Sequence, residues 1–147
     1  MIRAEQDTVL PLPLRHSLGA GARYTGYLPA QPLQIRCEMV HRQNARACWI
    51  LHVVGSVDSR TSEELLEKIE QLLGAGHPSR LIVDLDGVAH MDSSGVGALL
   101  AGLRDSQDRQ ARFTLCGLRK PLHDILERTR LAALFEIRPT VEQALCC

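Results

Sequence analysis

The chain has 147 residues, of which 45% are hydrophobic and 23% charged, the balance of an ordinary globular protein rather than a disordered or membrane-embedded one. Basic and acidic residues number 17 each and are interspersed, which argues against direct nucleic-acid contact, because such binders carry a basic excess or a basic face. The length fits one domain of about 110 residues plus an extension, enough chain to bury a core.

In residues 1–34, Pro11, Pro13, Pro29 and Pro32 alternate with Gly19, Gly21 and Gly26, and no helical or strand period persists. Prolines remove backbone donors and glycines raise the entropy lost on ordering, so a flexible or loosely docked extension is predicted. Val9, Leu10, Leu12, Leu14, Tyr24, Tyr27 and Leu28 leave a docked or partner-binding role open. The N-terminus lacks the basic-then-apolar layout of a signal peptide, and no apolar run approaches the roughly 18 to 20 residues that cross a bilayer. A cytoplasmic protein is expected.

Ile35–His41 and Ala47–Val54 are β-favouring runs around polar Arg42-Gln43-Asn44, which reads as a hairpin. Thr61-Ser62-Glu63-Glu64 matches the S/T-x-x-E capping box, and Leu65, Leu66, Ile69, Leu72 and Leu73 follow at helical spacing until Gly74 and Gly76. Leu81-Ile82-Val83 predicts a buried strand; Val96, Leu99, Leu100 and Leu103 predict the apolar stripe of a second helix. A strand at Arg112–Cys116, a helix over Leu122, Ile125 and Leu126, a short strand at Leu134–Ile137 and a helix from Thr140 complete the order. The predicted fold is α/β, a mixed sheet of about four to five strands flanked by about four helices, because a hairpin enforces antiparallel pairing and helical crossovers favour parallel neighbours.

His90-Met91-Asp92-Ser93-Ser94-Gly95-Val96-Gly97 falls at a strand-to-helix junction. A helix N-terminus offers unpaired N–H groups and the positive end of the macrodipole, so an anion placed there is stabilised. The same residue types serve as plain N-caps, and Asp92, Ser93 and Ser94 each fit that role. As a hydrolase site the motif lacks the G-x-S-x-G elbow, and His90 and Asp92 beside the serines do not make a triad by adjacency. The expectation is no enzymatic activity. Gly95 and Gly97 lack the P-loop lysine and the third glycine of a dinucleotide fingerprint. Asp84 and Asp86, flanking Leu85, are two acids without further oxygen ligands, better suited to loop hydrogen bonding than to a divalent cation. Cys37, Cys48, Cys116, Cys146 and Cys147 show no zinc spacing, and the first three sit in apolar strand-like stretches. His41, His52, His90 and His123 are scattered and read as structural. No metal or cofactor is expected.

From Arg80 onward the chain reads Leu-Ile-Val-Asp-Leu-Asp-Gly-Val-Ala-His-Met-Asp-Ser-Ser-Gly-Val-Gly, then Leu-Ala-Ala-Leu-Phe-Glu-Ile from Leu131. This resembles a STAS domain of the bacterial anti-sigma factor antagonist type over residues 35–147. The resemblance implies a partner-switching protein that binds an anti-sigma factor, itself a serine kinase, and so releases a sigma factor. It implies phosphorylation at Ser94, the second motif serine, with Ser93 the alternative, and reversal by a PP2C-type phosphatase. The implied partner face comprises Asp58, Ser59, Thr61, Asp92, Ser93, Ser94, Gly95, Val96 and Gly97, the two glycines keeping the surface low for docking, on a monomer or weak dimer. One departure is Gly55-Ser56, where family members often place an acidic residue after the glycine. The competing reading is a STAS subunit regulating a lipid-export or anion transporter without a phosphorylation cycle.

Overall fold

The computed structural model describes residues 2–7, 32–41 and 46–146. Side chains alternate across a strand, so each strand here supplies two faces. On one face Ile35, Cys37, Leu51, Val53, Leu81, Val83, Leu85, Phe113 and Leu115 form a core with the apolar stripes of two helices. On the other, Val40, Cys48, Ile50, Ile82 and Cys116 make a smaller cluster with Ala144. Burial on both faces is what parallel strands require.

The elements in chain order are β1 Ile2–Asp7, β2 Gln34–His41, β3 Cys48–Val57, α1 Ser62–Gly74, β4 Arg80–Met91, α2 Ser93–Asp108, β5 Arg112–Cys116, α3 Lys120–Arg128, a 3-10 turn Ala132–Leu134, β6 Glu136–Arg138 and α4 Val141–Cys146. The strands lie in the order β1-β2-β3-β4-β5-β6. Pairs β1–β2 and β2–β3 are antiparallel and the remaining three are parallel. The mixed sheet and its helices agree with the predicted class.

One strand was not foreseen. Reading residues 1–34 as devoid of regular structure is corrected at Ile2–Asp7, which pairs with β2 from Ile2↔His41 to Asp7↔Arg36. The prolines and glycines that dominated that reading all lie at or beyond Pro11. Residues 8–31, with the apolar side chains noted above, the connection Arg42-Gln43-Asn44 and Cys147 lie outside the described residues.

α1 buries Leu65, Ile69, Leu72 and Leu73, and α2 buries Val96, Ala98 and Leu99, so the two helices pack side by side on the larger core. Thr140 holds the start of α4, its hydroxyl accepting the Gln143 N–H at 3.1 Å, and the buried Arg80 guanidinium donates to the Ala144 carbonyl. Among the described residues no helix is long and apolar enough to cross a membrane.

Candidate functional site

β3 and β4 run parallel and end together, which brings the segment after each to one rim of the sheet. The Asp92 N–H donates to the Val57 carbonyl at 3.1 Å, tying the two segments at their roots. Gly55, at φ +115°, lies so close to the Pro32 carbonyl that a Cβ would stand 2.2 Å from its oxygen; no L side chain fits there.

After Val57 the chain turns through Asp58-Ser59-Arg60-Thr61. The Asp58 carboxylate accepts the Arg60 N–H at 2.9 Å and pairs with the Arg60 guanidinium at 3.0 Å. The Arg60 side chain, then its backbone N–H, hold that carboxyl below the usual range. The expected capping box is not formed: Thr61 makes no side-chain cap to α1. Its hydroxyl donates to the Ser56 carbonyl at 2.9 Å and accepts the Asp58 N–H at 3.0 Å, so it braces the loop. The Asp58 carbonyl instead receives the N–H groups of Thr61 and Ser62.

At the end of β4 the capping question has one answer. Asp92 Oδ1 accepts the N–H groups of Ser94 at 2.9 Å and Gly95 at 3.3 Å, making Asp92 the N-cap and placing Ser93 and Ser94 in the first turn of α2. Ser93 is exposed and Ser94 half-buried.

Two residues expected on the partner face are buried. Val96 is 6% exposed and packs in the larger core, as the i, i+3, i+7 stripe to Leu99 and Leu103 requires. Gly95 is also buried: a Cβ there would meet Met91 Cγ at 2.5 Å and Val57 Cγ1 at 2.8 Å. Its small size serves the seating of α2 on the strand ends. Gly97 is exposed, with open space where its Cβ would be. The rim therefore presents Asp58, Ser59, Arg60, Thr61, Ser93, Ser94 and Gly97, with Asp92 beneath. Arg60 is the member that sequence reading missed; its signal was position, two residues after Asp58 in the same turn.

The opposite face of the sheet carries a second polar group. Asp84 Oδ1 accepts the Asp86 N–H at 3.1 Å, the loop bonding expected of it, while Asp84 Oδ2 lies 2.8 Å from His52 Nδ1. On the sequence alone His52 reads as merely structural. Among the described residues no cluster of three or more His, Cys, Asp or Glu is placed to hold a metal ion. Cys37, Cys48 and Cys116 are buried free thiols, and burial first, then the charge of Asp84, pushes Cys116 up to about 12. Cys146 is exposed.

Comparison with known proteins agrees with this architecture. The chain is 23% identical over 107 residues to an anti-sigma F factor antagonist of Paenibacillus polymyxa, covering 73% of this chain and 86% of the relative. It is 30% identical over 88 residues to an anti-sigma-B factor antagonist of Listeria monocytogenes, covering 60% of this chain and 76% of the relative. The phosphorylated form of the Bacillus cell fate determinant SpoIIAA superposes with a TM-score of 0.55 at 21% identity, covering 73% of this chain and 96% of that one. Residues 37–144, from the middle of β2 into α4 and with the whole rim between them, match the STAS domain, and the chain belongs to that family.

Proposed function

We propose that this chain is an anti-sigma factor antagonist whose partner surface is the Asp58–Thr61 turn with the first turn of α2, switched by phosphorylation of Ser94. The carrying observation is the cap: the Ser94 and Gly95 N–H groups, which an anion at this terminus would use, already bind the Asp92 carboxylate at 2.9 and 3.3 Å. A phosphate on Ser94 gains little from the helix terminus and stands next to a resident negative charge. Its own charge of about −1.5 to −2 is therefore felt at the surface rather than absorbed by the fold.

The cycle is simple in chemical terms. The Ser94 hydroxyl oxygen attacks the γ-phosphorus of ATP bound by the anti-sigma kinase, ADP leaves, and the hydroxyl proton is lost. A PP2C-type phosphatase returns the serine and inorganic phosphate by hydrolysis. With Asp58 and Asp92 already at the rim, the added charge opposes acidic groups of the partner. Like-charge juxtaposition costs several kcal/mol, and a cost of about 3 kcal/mol weakens binding on the order of 100-fold. The chain itself catalyses nothing in this scheme and acts in the cytoplasm as a monomer or weak dimer.

The test is binding of the kinase partner, by titration calorimetry, to the wild-type chain and to Ser94→Ala and Ser94→Glu, with phosphopeptide mapping after incubation with kinase and ATP. Ser94→Ala should bind as wild type and take no label, and Ser94→Glu should bind more weakly. Labelling that persists in Ser94→Ala and vanishes in Ser93→Ala would move the site by one residue. A chain that binds no kinase and is never labelled would instead fit the transporter-subunit reading.

A further inference from the structure

On the sheet face away from α1 and α2, three adjacent strands each contribute one ionisable group to a single contact. Glu38 on β2 is 1% exposed, and its Oε1 lies 3.1 Å from His52 Nε2 on β3. Across the ring, His52 Nδ1 lies 2.8 Å from Asp84 Oδ2 on β4. Both ring nitrogens thus face carboxylate oxygens. A neutral imidazole has one N–H and one lone pair, and an ionised carboxylate only accepts, so a neutral ring would set its lone pair against an oxygen on one side. The imidazolium donates on both sides. Between the ring and Asp84 the extra proton belongs on the ring, because the bond that joins them raises the imidazole and lowers the carboxyl.

The position gives this proton a consequence. β3 and β4 pair in step from Cys48↔Arg80 to His52↔Asp84, and shifts follow between His52 and Val54 and between Gly55 and Ser56. His52↔Asp84 is therefore the last pair before the register slips, five residues ahead of Val57, whose carbonyl anchors Asp92. We infer that Glu38, His52 and Asp84 form a proton-held clamp, with His52 as imidazolium, that fixes the register of β2, β3 and β4 and loosens its hold on the Val57–Asp92 junction when the ring loses its proton.

The surroundings allow the proton to exchange. His52, Asp84 and Asp86 line an open cleft of about 340 Å³ together with Gly117, Pro139, Thr140, Val141 and Glu142, and the His52 side chain is 18% exposed, so water reaches the ring. The groups around it are Glu38 and Arg36 from β2, Asp84 and Asp86 from β4, Cys116 from β5, opposite Asp84, and Glu142 from α4. The hydrogen bond to Asp84 is the main cause that raises the ring above the ordinary histidine value; burial opposes it, Glu38 adds to it, and Arg36 works against it. Asp84 is held below the usual carboxylate range: its burial works the other way, but His52, the Asp86 N–H and Arg36 outweigh it.

The test uses the full chain and needs no partner. Nitrogen-15 correlation spectra of the His52 ring across pH 5 to 10 report which nitrogens are protonated, and amide exchange gives the protection factor of the Asp92 N–H, with Val83 in the buried β4 as a reference for global opening. The expected result is a ring mainly protonated on both nitrogens at pH 7, with a midpoint raised to match. Asp92 protection should fall relative to Val83 as pH passes that midpoint, by at most about tenfold per unit by which the midpoint is raised. In His52→Gln that pH-dependent step should vanish, and in Glu38→Gln the ring should titrate at lower pH in a folded chain. A singly protonated ring at pH 7, an Asp92 profile identical in wild type and His52→Gln, or an unmoved midpoint in Glu38→Gln would each overturn the clamp.

Discussion

The two motif glycines separate packing from surface, and alanine substitutions at each should move stability in opposite directions. In a helix interior alanine is favoured over glycine by roughly 1 kcal/mol, because the glycine backbone loses more freedom on ordering. At Gly97 nothing stands within 4 Å of the added methyl, so most of that gain should appear. At Gly95 the methyl would lie 2.5 Å from Met91 Cγ and 2.8 Å from Val57 Cγ1. Met91 has a flexible side chain, but it is 4% exposed and already enclosed by the core; Val57 is fully buried and stiff at its first torsion. Inserting a methyl into such packing costs about 1 to 3 kcal/mol, which cancels or outweighs the helix gain.

Gly97→Ala should therefore be more stable than wild type by up to about 1 kcal/mol, and Gly95→Ala less stable by up to about 2 kcal/mol. For a domain of this size each kcal/mol moves the thermal midpoint by roughly 3 to 5 °C. Calorimetry and urea unfolding of both variants measure the difference directly. Binding gives a second readout: Gly97→Ala, though stabilised, should bind the partner less well because its methyl stands on the proposed docking surface. A Gly95→Ala chain as stable as Gly97→Ala would refute the argument that Gly95 is small for packing.

Three further outcomes follow from the same geometry. Asp92→Ala should lose about 1 kcal/mol of stability through the lost cap while Asp92→Asn, which keeps an acceptor oxygen, should lose less; urea midpoints compare them. His52, raised in the folded state, contributes stability that is complete below its unfolded value near 6.5 and is lost as pH rises through the folded value, whereas Asp84, lowered, contributes above about 4 and is lost as pH falls through its own folded value. Urea midpoints from pH 3 to 10 should therefore fall at both ends, and His52→Gln should flatten the alkaline limb; a wild-type alkaline limb no steeper than the variant's would contradict the assignment. A chain beginning at residue 32 should still unfold cooperatively, since the family match starts at residue 37, but loss of β1 bares the β2 edge and should increase self-association in light scattering.

The α/β class, the hairpin, both large helices and the rim motif were legible because each rests on local period or spacing: Leu65, Ile69, Leu72 and Leu73 mark α1 without any knowledge of its neighbours. Features resting on a distant partner were not. β4 extends to Met91 rather than ending at Val83, because Asp84 finds His52 and because Gly87 fits where a side chain would strike Val54. Polar residues and glycine weaken a strand reading only until their partners are known. His52 looked isolated since Glu38 and Asp84 lie 14 and 32 residues away, and only the paired register aligns them.

The burial of Gly95 and Val96 follows from helix geometry, and it bears on how the proposed switch would be built. Residues two apart on a helix point about 200° from each other, so Gly95 and Gly97 could not both face a partner. Val96 had already been assigned to the apolar stripe with Leu99 and Leu103, which commits it to the core. Once those residues are turned inward, the α2 rim is left with Ser93, Ser94 and Gly97, a narrow surface of which one serine is a large fraction. Gly95, wedged against Met91 and Val57, keeps the first turn from withdrawing, and Asp92 occupies the amides that would otherwise draw a phosphate inward. On the proposed reading, a phosphate on Ser94 therefore gains little from the helix terminus, and its cost would fall on whatever docks against the rim.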